Sequence, residues 1–271
     1  MEDLRANGKA MRVITREPSR LPELDGAEVV QADGFEDAEA IAGALGDGDR
    51  VFMVAMHSSV EDRVRQHRAF VDAAVAAGAA QLVYLSCINA GPDAIFHHNR
   101  SHGATEQIVR DSGLPFTFVR MSMWMDDIPA WFDPDGVIRA PHGNGRISFT
   151  YRPEIARVIS ATLTQGGHLG KTYSVTGPQS LTMAELAATA TAVTGDSYGC
   201  EPQSREDWTA KRLAMGHEPW SVEAGLSSWD ALNAGEFDVV TDTVQEITGA
   251  APLTAAEWIA ENAAAMPLAG K

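Results

Sequence analysis

Apolar residues in this chain fall into short unbroken blocks. "MRVIT" (11–15), "AEVVQA" (27–32), "VFMVA" (51–55), "QLVYLS" (81–86) and "PFTFVR" (115–120) are each closed by a polar or glycine turn and read as strands. Between them, "EDAEAIAGALGD" from Glu36, "VEDRVRQHRAFVDAAVAAG" from Val60 and "SHGATEQIVRDSG" from Ser101 carry a helical period. The last two are stopped by Gly78 and Gly113. Strands that alternate with helices must pair in parallel, and apolar strands without polar alternation need cover on both faces. The predicted fold class is α/β, a doubly wound parallel sheet.

After about residue 121 the rhythm changes. "MSMWMDDIPAWFDPDG" is rich in Trp, Met and Pro, "GNGRISFTY" contains a short strand, and "PEIARVISATLTQ" is a helix opened by Pro153. A strand, "KTYSVTG", and a helix, "TMAELAATATAVTG", follow. From Tyr198 the pattern is mostly helical, and Trp208, Trp220, Trp229 and Trp258 are spaced to pack helices together. Residues 1–150 therefore read as the sheet region and 151–271 as a smaller, mostly helical C-terminal lobe, intertwined with it as one structural unit.

Composition narrows the function classes. With 271 residues, 45 % of them hydrophobic, the chain can bury a full core. A formal net charge of −16 repels phosphate backbones and anionic lipid, which argues against nucleic acid and membrane surfaces as partners. Arg63, Arg65, His67 and Arg68 read as a solvated helix face. No apolar run of about 18 residues is present and the first residues lack a secretory signal, so the expected compartment is the cytoplasm. Cys87 and Cys200 are too few for a disulfide framework. His97, His98 and His102 include i, i+4 spacings, but without an HExxH or paired-cysteine pattern no metal is expected.

Four segments in this order, "VRDSGLPFTFVR", "GNGRISFTYRPEIARVI", "GKTYSVTGPQSLTMAELA" and "FDVVTDTVQEITGAAPLTAAEWIAENAA", resemble the NmrA-like branch of the atypical short-chain dehydrogenases/reductases. The resemblance runs from about residue 4 onward and implies a Rossmann-type sheet. It also implies NADP(H) as cofactor and hydride transfer to a small flat acceptor such as a quinone or azo compound. Two alternatives stay open: a non-catalytic NAD(P)-binding redox sensor, and a cofactor-free remnant that binds another small molecule. A homodimer is left open as the assembly.

One departure from the family stands out. Its first strand leads into a glycine-rich loop that cradles the dinucleotide pyrophosphate. This chain has no such motif; "GALGDG" (43–48) and "GNG" (143–145) read as turns, and the opening residues match the tail of the family's first helix, ending at Asn7 and Gly8. The sheet is thus expected to be N-terminally incomplete, with "MRVIT" and "VFMVA" flanking a vacant central slot. Buried unpaired backbone groups there would cost roughly 1–3 kcal/mol each. Three expectations compete: the true start lies upstream; the N-terminal segment or another chain fills the slot; or the two strands close directly and the dinucleotide site is lost.

The resemblance also assigns candidate residues. Arg16, just after "MRVIT", stands where relatives hold the 2′-phosphate of NADPH, and Thr15 can add a hydroxyl; the plain alternative is a solvated turn arginine. Asp33 and Phe35 match the segment beside the adenine, and Asp33 is equally a helix N-cap. Ala55 and Met56 lie in the loop that runs along the cofactor, where His57 reads as a surface residue. Ser86 ends a strand at the catalytic serine's place, but no YxxxK follows; His102 occupies the family's Lys/His position and, with Glu106 at i+4, is the candidate general acid. Ser86 is a candidate for both cofactor binding and catalysis. Met121, Trp124 and Met125 are the candidate substrate wall, with Met121-Ser122 standing where the family has a Pro-Gly turn.

Overall fold

The computed structural model describes residues 10–22 and 26–268. The helix tail expected before residue 9 lies outside them. Eleven strands are numbered in chain order: β1 (Met11–Thr15), β2 (Ala27–Gln31), β3 (Arg50–Val54), β4 (Gln81–Cys87), β5 (Phe116–Met121), β6 (Met123–Trp124), β7 (Val137–Ala140), β8 (Ile147–Thr150), β9 (Lys171–Val175), β10 (Ser180–Leu181) and β11 (Gly199–Pro202). The helices are α1 (Ala38–Ala44), α2 (Val60–Ala76), α3 (His97–Asp111), α4 (Ile128–Trp131), α5 (Arg152–Thr164), α6 (Met183–Thr194), α7 (Arg205–Ala214), α8 (Pro219–Asn233), α9 (Thr243–Thr248) and α10 (Ala255–Glu261).

The described chain divides into two units whose segments interleave. One comprises residues up to Ser86, Ser101–Val119 and Ala156–Tyr173; the other comprises Cys87–Arg100, Arg120–Ile155 and the residues from Ser174 onward.

In the first unit, β3-β4-β5-β9 form one sheet and β1-β2 a separate parallel pair. Every residue of β4 is buried. On one face Leu82 and Tyr84 join Phe70 and Val71 of α2 with Ile108 and Val109 of α3. On the other, Gln81 donates to the Thr162 carbonyl of α5 at 3.2 Å. Helices on both faces make the sheet doubly wound, as expected. Among the described residues no ladder joins β1 to β3, so direct closure of these two strands is not what the chain forms. β3 exposes Phe52 and Val54 while burying Val51 and Met53. Arg12 of β1 spans the interval by side chain instead. It pairs with Glu28 of β2 (2.9 Å), donates to the Ala44 carbonyl at the end of α1 (2.5 Å) and reaches Asp49 just before β3 (3.2 Å).

The second unit has a core of Met125, Ile128, Ile138, Phe149, Leu186, Phe237 and Trp258, among others. α6 begins at a reciprocal capping box, Thr182 with Glu185, and ends at Gly195 with φ of 82°. β11 was not expected from sequence: Gly199 and Pro202 are poor strand formers, and only parallel pairing with β7 holds the segment extended.

The "GNG" turn ends against α8. A Cβ at Gly145 would overlap the Leu232 carbonyl, which belongs to helix backbone and cannot rotate away. Gly145→Ala is expected to destabilise the protein by about 1–3 kcal/mol, read as a lower urea midpoint at unchanged slope.

Candidate functional site

The carboxyl ends of β1, β2 and β3 bring the expected cofactor residues into one unit. Thr15 pairs with Gln31 across the β1-β2 ladder, and the Ala32 amide donates to the Thr15 carbonyl at 3.0 Å. Arg16 comes next and is exposed; among the described residues its guanidinium has no partner, while its carbonyl accepts from Gln31 Nε2 at 3.4 Å. The Thr15 hydroxyl accepts from the Glu17 amide at 3.2 Å. Asp33 is exposed at the end of the neighbouring strand. It is not the helix cap: Asp37 caps α1 by accepting from Ala40 and also accepts from the Asp33 amide.

Phe35 is half-buried, its ring 4.6 Å from Phe70 and 5.8 Å from His67. His67 is the residue that sequence reading missed. On α2, Arg63 and His67 are buried while Arg65 and Arg68 are exposed, so the basic cluster is not one solvated face. Arg63 donates to Ser101 Oγ at 3.3 Å, whereas Arg65 pairs on the surface with Glu36 and Asp62.

The His67 ring has a defined tautomer. Its Nε2 accepts from the Met56 amide at 3.3 Å, in the loop where Ala55 and Met56 are half-buried. Its Nδ1 lies 2.8 Å from Thr105 Oγ1, and that hydroxyl donates to the Ser101 carbonyl. Nδ1 therefore carries the proton. Burial first, and the neighbouring Arg63 cation second, push the His67 pKa from 6.5 down to about 3.

Tyr84 continues this column. Its ring meets His67 edge-on at 5.7 Å, and its hydroxyl lies 2.7 Å from His102 Nδ1. Two residues along β4, Ser86 is fully buried, and its Oγ donates to Glu106 Oε1 at 2.7 Å; Glu106 also pairs with Arg110 at 3.0 Å. The Ser86 hydroxyl thus faces α3 through Glu106.

The expected substrate residues lie in the second unit. Met125 is core, 1 % exposed. Trp124 is half-buried with its indole face covered by the Arg152 guanidinium, 4.9 Å from the ring centre. Met121 is half-buried, and its carbonyl accepts from the Ile88 amide; Thr150 Oγ1 accepts from the Ser122 amide and holds the Met-Ser turn. Among the described residues no group of three or more His, Cys, Asp or Glu side chains is disposed to hold a metal.

The residues of the first unit fit the adenosine end of a phosphorylated dinucleotide. The Arg16 guanidinium, exposed and without a partner among the described residues, has the disposition a 2′-phosphate needs, and Asp33 is exposed just after β2, the strand paired with β1. Among the described residues the strand-to-helix loops carry at most single glycines, Gly34 before α1 and Gly91 before α3, and none is a glycine-rich turn that opens directly into a helix.

The family of NAD(P)H-binding proteins matches residues 1–166. The chain is 34 % identical over 265 residues to a (4-alkanoyl-5-oxo-2,5-dihydrofuran-3-yl)methyl phosphate reductase of Streptomyces griseus subsp. griseus, covering 96 % of this chain and 92 % of the relative. It is 31 % identical over 259 residues to an NAD(P)H azoreductase of Xenophilus azovorans, covering 94 % and 90 %. The crystal structure of an Escherichia coli NADPH-dependent quinone oxidoreductase complexed with NADPH is similar at a TM-score of 0.87 and 25 % identity, over 96 % of this chain and 94 % of that one.

Burial of His67 generates a pH dependence. Its folded pKa lies below the unfolded one, so between them the unfolded chain binds the extra proton. The contribution of His67 is whole above about pH 6.5 and is lost as pH falls toward 3, at up to about 1.4 kcal/mol per pH unit. Urea unfolding of the native protein and His67→Gln, in steps down from about pH 7 to 5, should show the shallower slope in the variant. Parallel curves would contradict a neutral buried imidazole.

Proposed function

Because the chain belongs to the NAD(P)H-binding family, in its NmrA-like atypical short-chain dehydrogenase/reductase branch, we propose that it is an NADPH-dependent oxidoreductase acting on a small flat acceptor such as a quinone or azo compound. The observation that carries this reading is the similarity, over 96 % and 94 % of the chain, to two proteins that are both reductases. When bound, the dinucleotide supplies the hydride. The residues of this chain bind, orient and protonate.

Arg16 would hold the 2′-phosphate through charge-assisted hydrogen bonds, with Thr15, Asp33 and Phe35 around the adenosine. The 55–56 loop would run along the cofactor, held by the bond from Met56 to His67. His102, oriented by Tyr84 through Nδ1, would donate the proton that the reduced acceptor takes up. Ser86 and Glu106 would keep α3 in register beneath it.

A dinucleotide-binding regulator without turnover is the second reading. The buried Ser86 hydroxyl and the lack of YxxxK favour it.

Fluorescence titration of the full chain with NADPH and NADH tests the first step. Arg16→Ala should weaken NADPH about tenfold or more, equivalent to roughly 1.5 kcal/mol, and leave NADH unchanged. Absence of binding to either dinucleotide removes both readings. NADPH consumption across a panel of quinones and azo compounds then separates them, since binding without turnover favours the regulator. In the active enzyme His102→Gln should lower kcat about a hundredfold while leaving the NADPH Kd unchanged.

A further inference from the structure

The second unit contains a cavity of about 300 Å³ that no step of the proposed reaction uses, near the lower end of the size range of small-molecule sites. Its walls are aromatic: Trp131, Trp208, Trp229 and Phe237 line it, with Trp131 and Trp229 packed edge to face at 5.4 Å. Such walls suit a flat ring.

Three charged side chains also line the cavity, and two of them are neutralised. Arg139 is held by Asp133 (3.1 Å), Asp135 (2.9 Å) and Glu201 (3.0 Å). Burial raises the pKa of Asp127, against the attraction of Arg152 at 3.3 Å. The third is Arg212. Its guanidinium lies 5.1 Å from the centre of the Trp208 ring, one turn back on α7, and no carboxylate among the described residues pairs with it.

The decisive feature is a pair of donors without acceptors. Trp208 is 5 % exposed, and its Nε1–H is buried with no partner; the Arg212 Nε–H is buried and equally unmatched. Indole and guanidinium nitrogens donate and cannot accept, so only an incoming group rich in lone pairs can satisfy them. The ring is also held in place: a Cβ at Gly225 of α8 would lie 2.7 Å from Trp208 Cη2, so glycine is what lets the indole seat there.

We propose that this cavity is a binding site for a small planar aromatic anion, a carboxylate or sulfonate whose oxygens meet Arg212 Nε and Trp208 Nε1 while its ring lies among the tryptophans. Aromatic walls also attract organic cations. Arg212 is, however, the charged lining residue with no counter-ion among the described residues, and both orphan groups are donors, so the anion is favoured. In a chain of net charge −16, such a site must rely on this local arginine.

Isothermal titration of the full chain, without dinucleotide, tests the site independently of the proposed activity. The probes are naphthalene-2-sulfonate, its uncharged isostere naphthalene-2-sulfonamide, and the cationic naphthalen-2-yl-trimethylammonium. The sulfonate should bind at least tenfold tighter than either of the others. Arg212→Gln should abolish that preference at unchanged unfolding midpoint, Arg212→Lys should retain part of it, and Trp208→Phe should weaken the sulfonate severalfold. Equal affinity for sulfonate and sulfonamide, preference for the cation, or no binding of any probe to the native protein would overturn the proposal.

Discussion

An imidazole taken out of water has to be neutral, and once neutral its two nitrogens are no longer interchangeable. That constraint, met at His67, organises the first unit. With Nδ1 donating to Thr105 and Nε2 accepting from the Met56 amide, one side chain ties α2 to α3 and to the loop after β3. Protonation would turn the acceptor into a second donor facing an amide, in a space already near the Arg63 cation. Phe35 and Tyr84 both pack against the ring, so the residue expected beside adenine, the 55–56 loop and the partner of His102 all meet at one buried group.

The inner face of α3 extends the same logic. Ser101, Thr105 and Glu106 are buried, and each has an identified partner on α2, β4 or α3 itself. A buried polar side chain left unmatched costs about 1–3 kcal/mol, so this face is specific in register where an apolar one would tolerate slippage. It also turns the Ser86 hydroxyl inward. Around the β1-β2 pair, Ile14 and Ala32 join the first unit's core, and Arg12 reaches the Ala44 carbonyl and Asp49.

In the second unit the arginines divide by how completely they are matched. Arg139 gathers three carboxylates, and Arg152 covers the face of Trp124 while facing Asp126 and Asp127. Arg212 rests on Trp208, with no carboxylate partner among the described residues. The tryptophans divide as well. Trp258 is core, in keeping with helix packing, whereas Trp208 and Trp229 serve the core and line a cavity at once.

Local chemistry was enough to specify the strands from β1 to β5, the helices between them, the helix α6 and the α/β class, because period and caps act within a few residues. Arg16 was marked by the family resemblance and not by local chemistry, which reads it as a solvated turn arginine. What tertiary structure decided was the destination of polar side chains. α3 begins at His97, earlier than its pattern shows, since its buried positions there are Asn99, Ser101 and Thr105 rather than apolar residues. His67 sits in a run of charges that reads as solvent-facing, and β11 is extended only because β7 lies beside it. Hydrophobic patterning registers burial only where burial is apolar; a polar group is buried because a partner from elsewhere in the chain meets it, and that partner has no local signature.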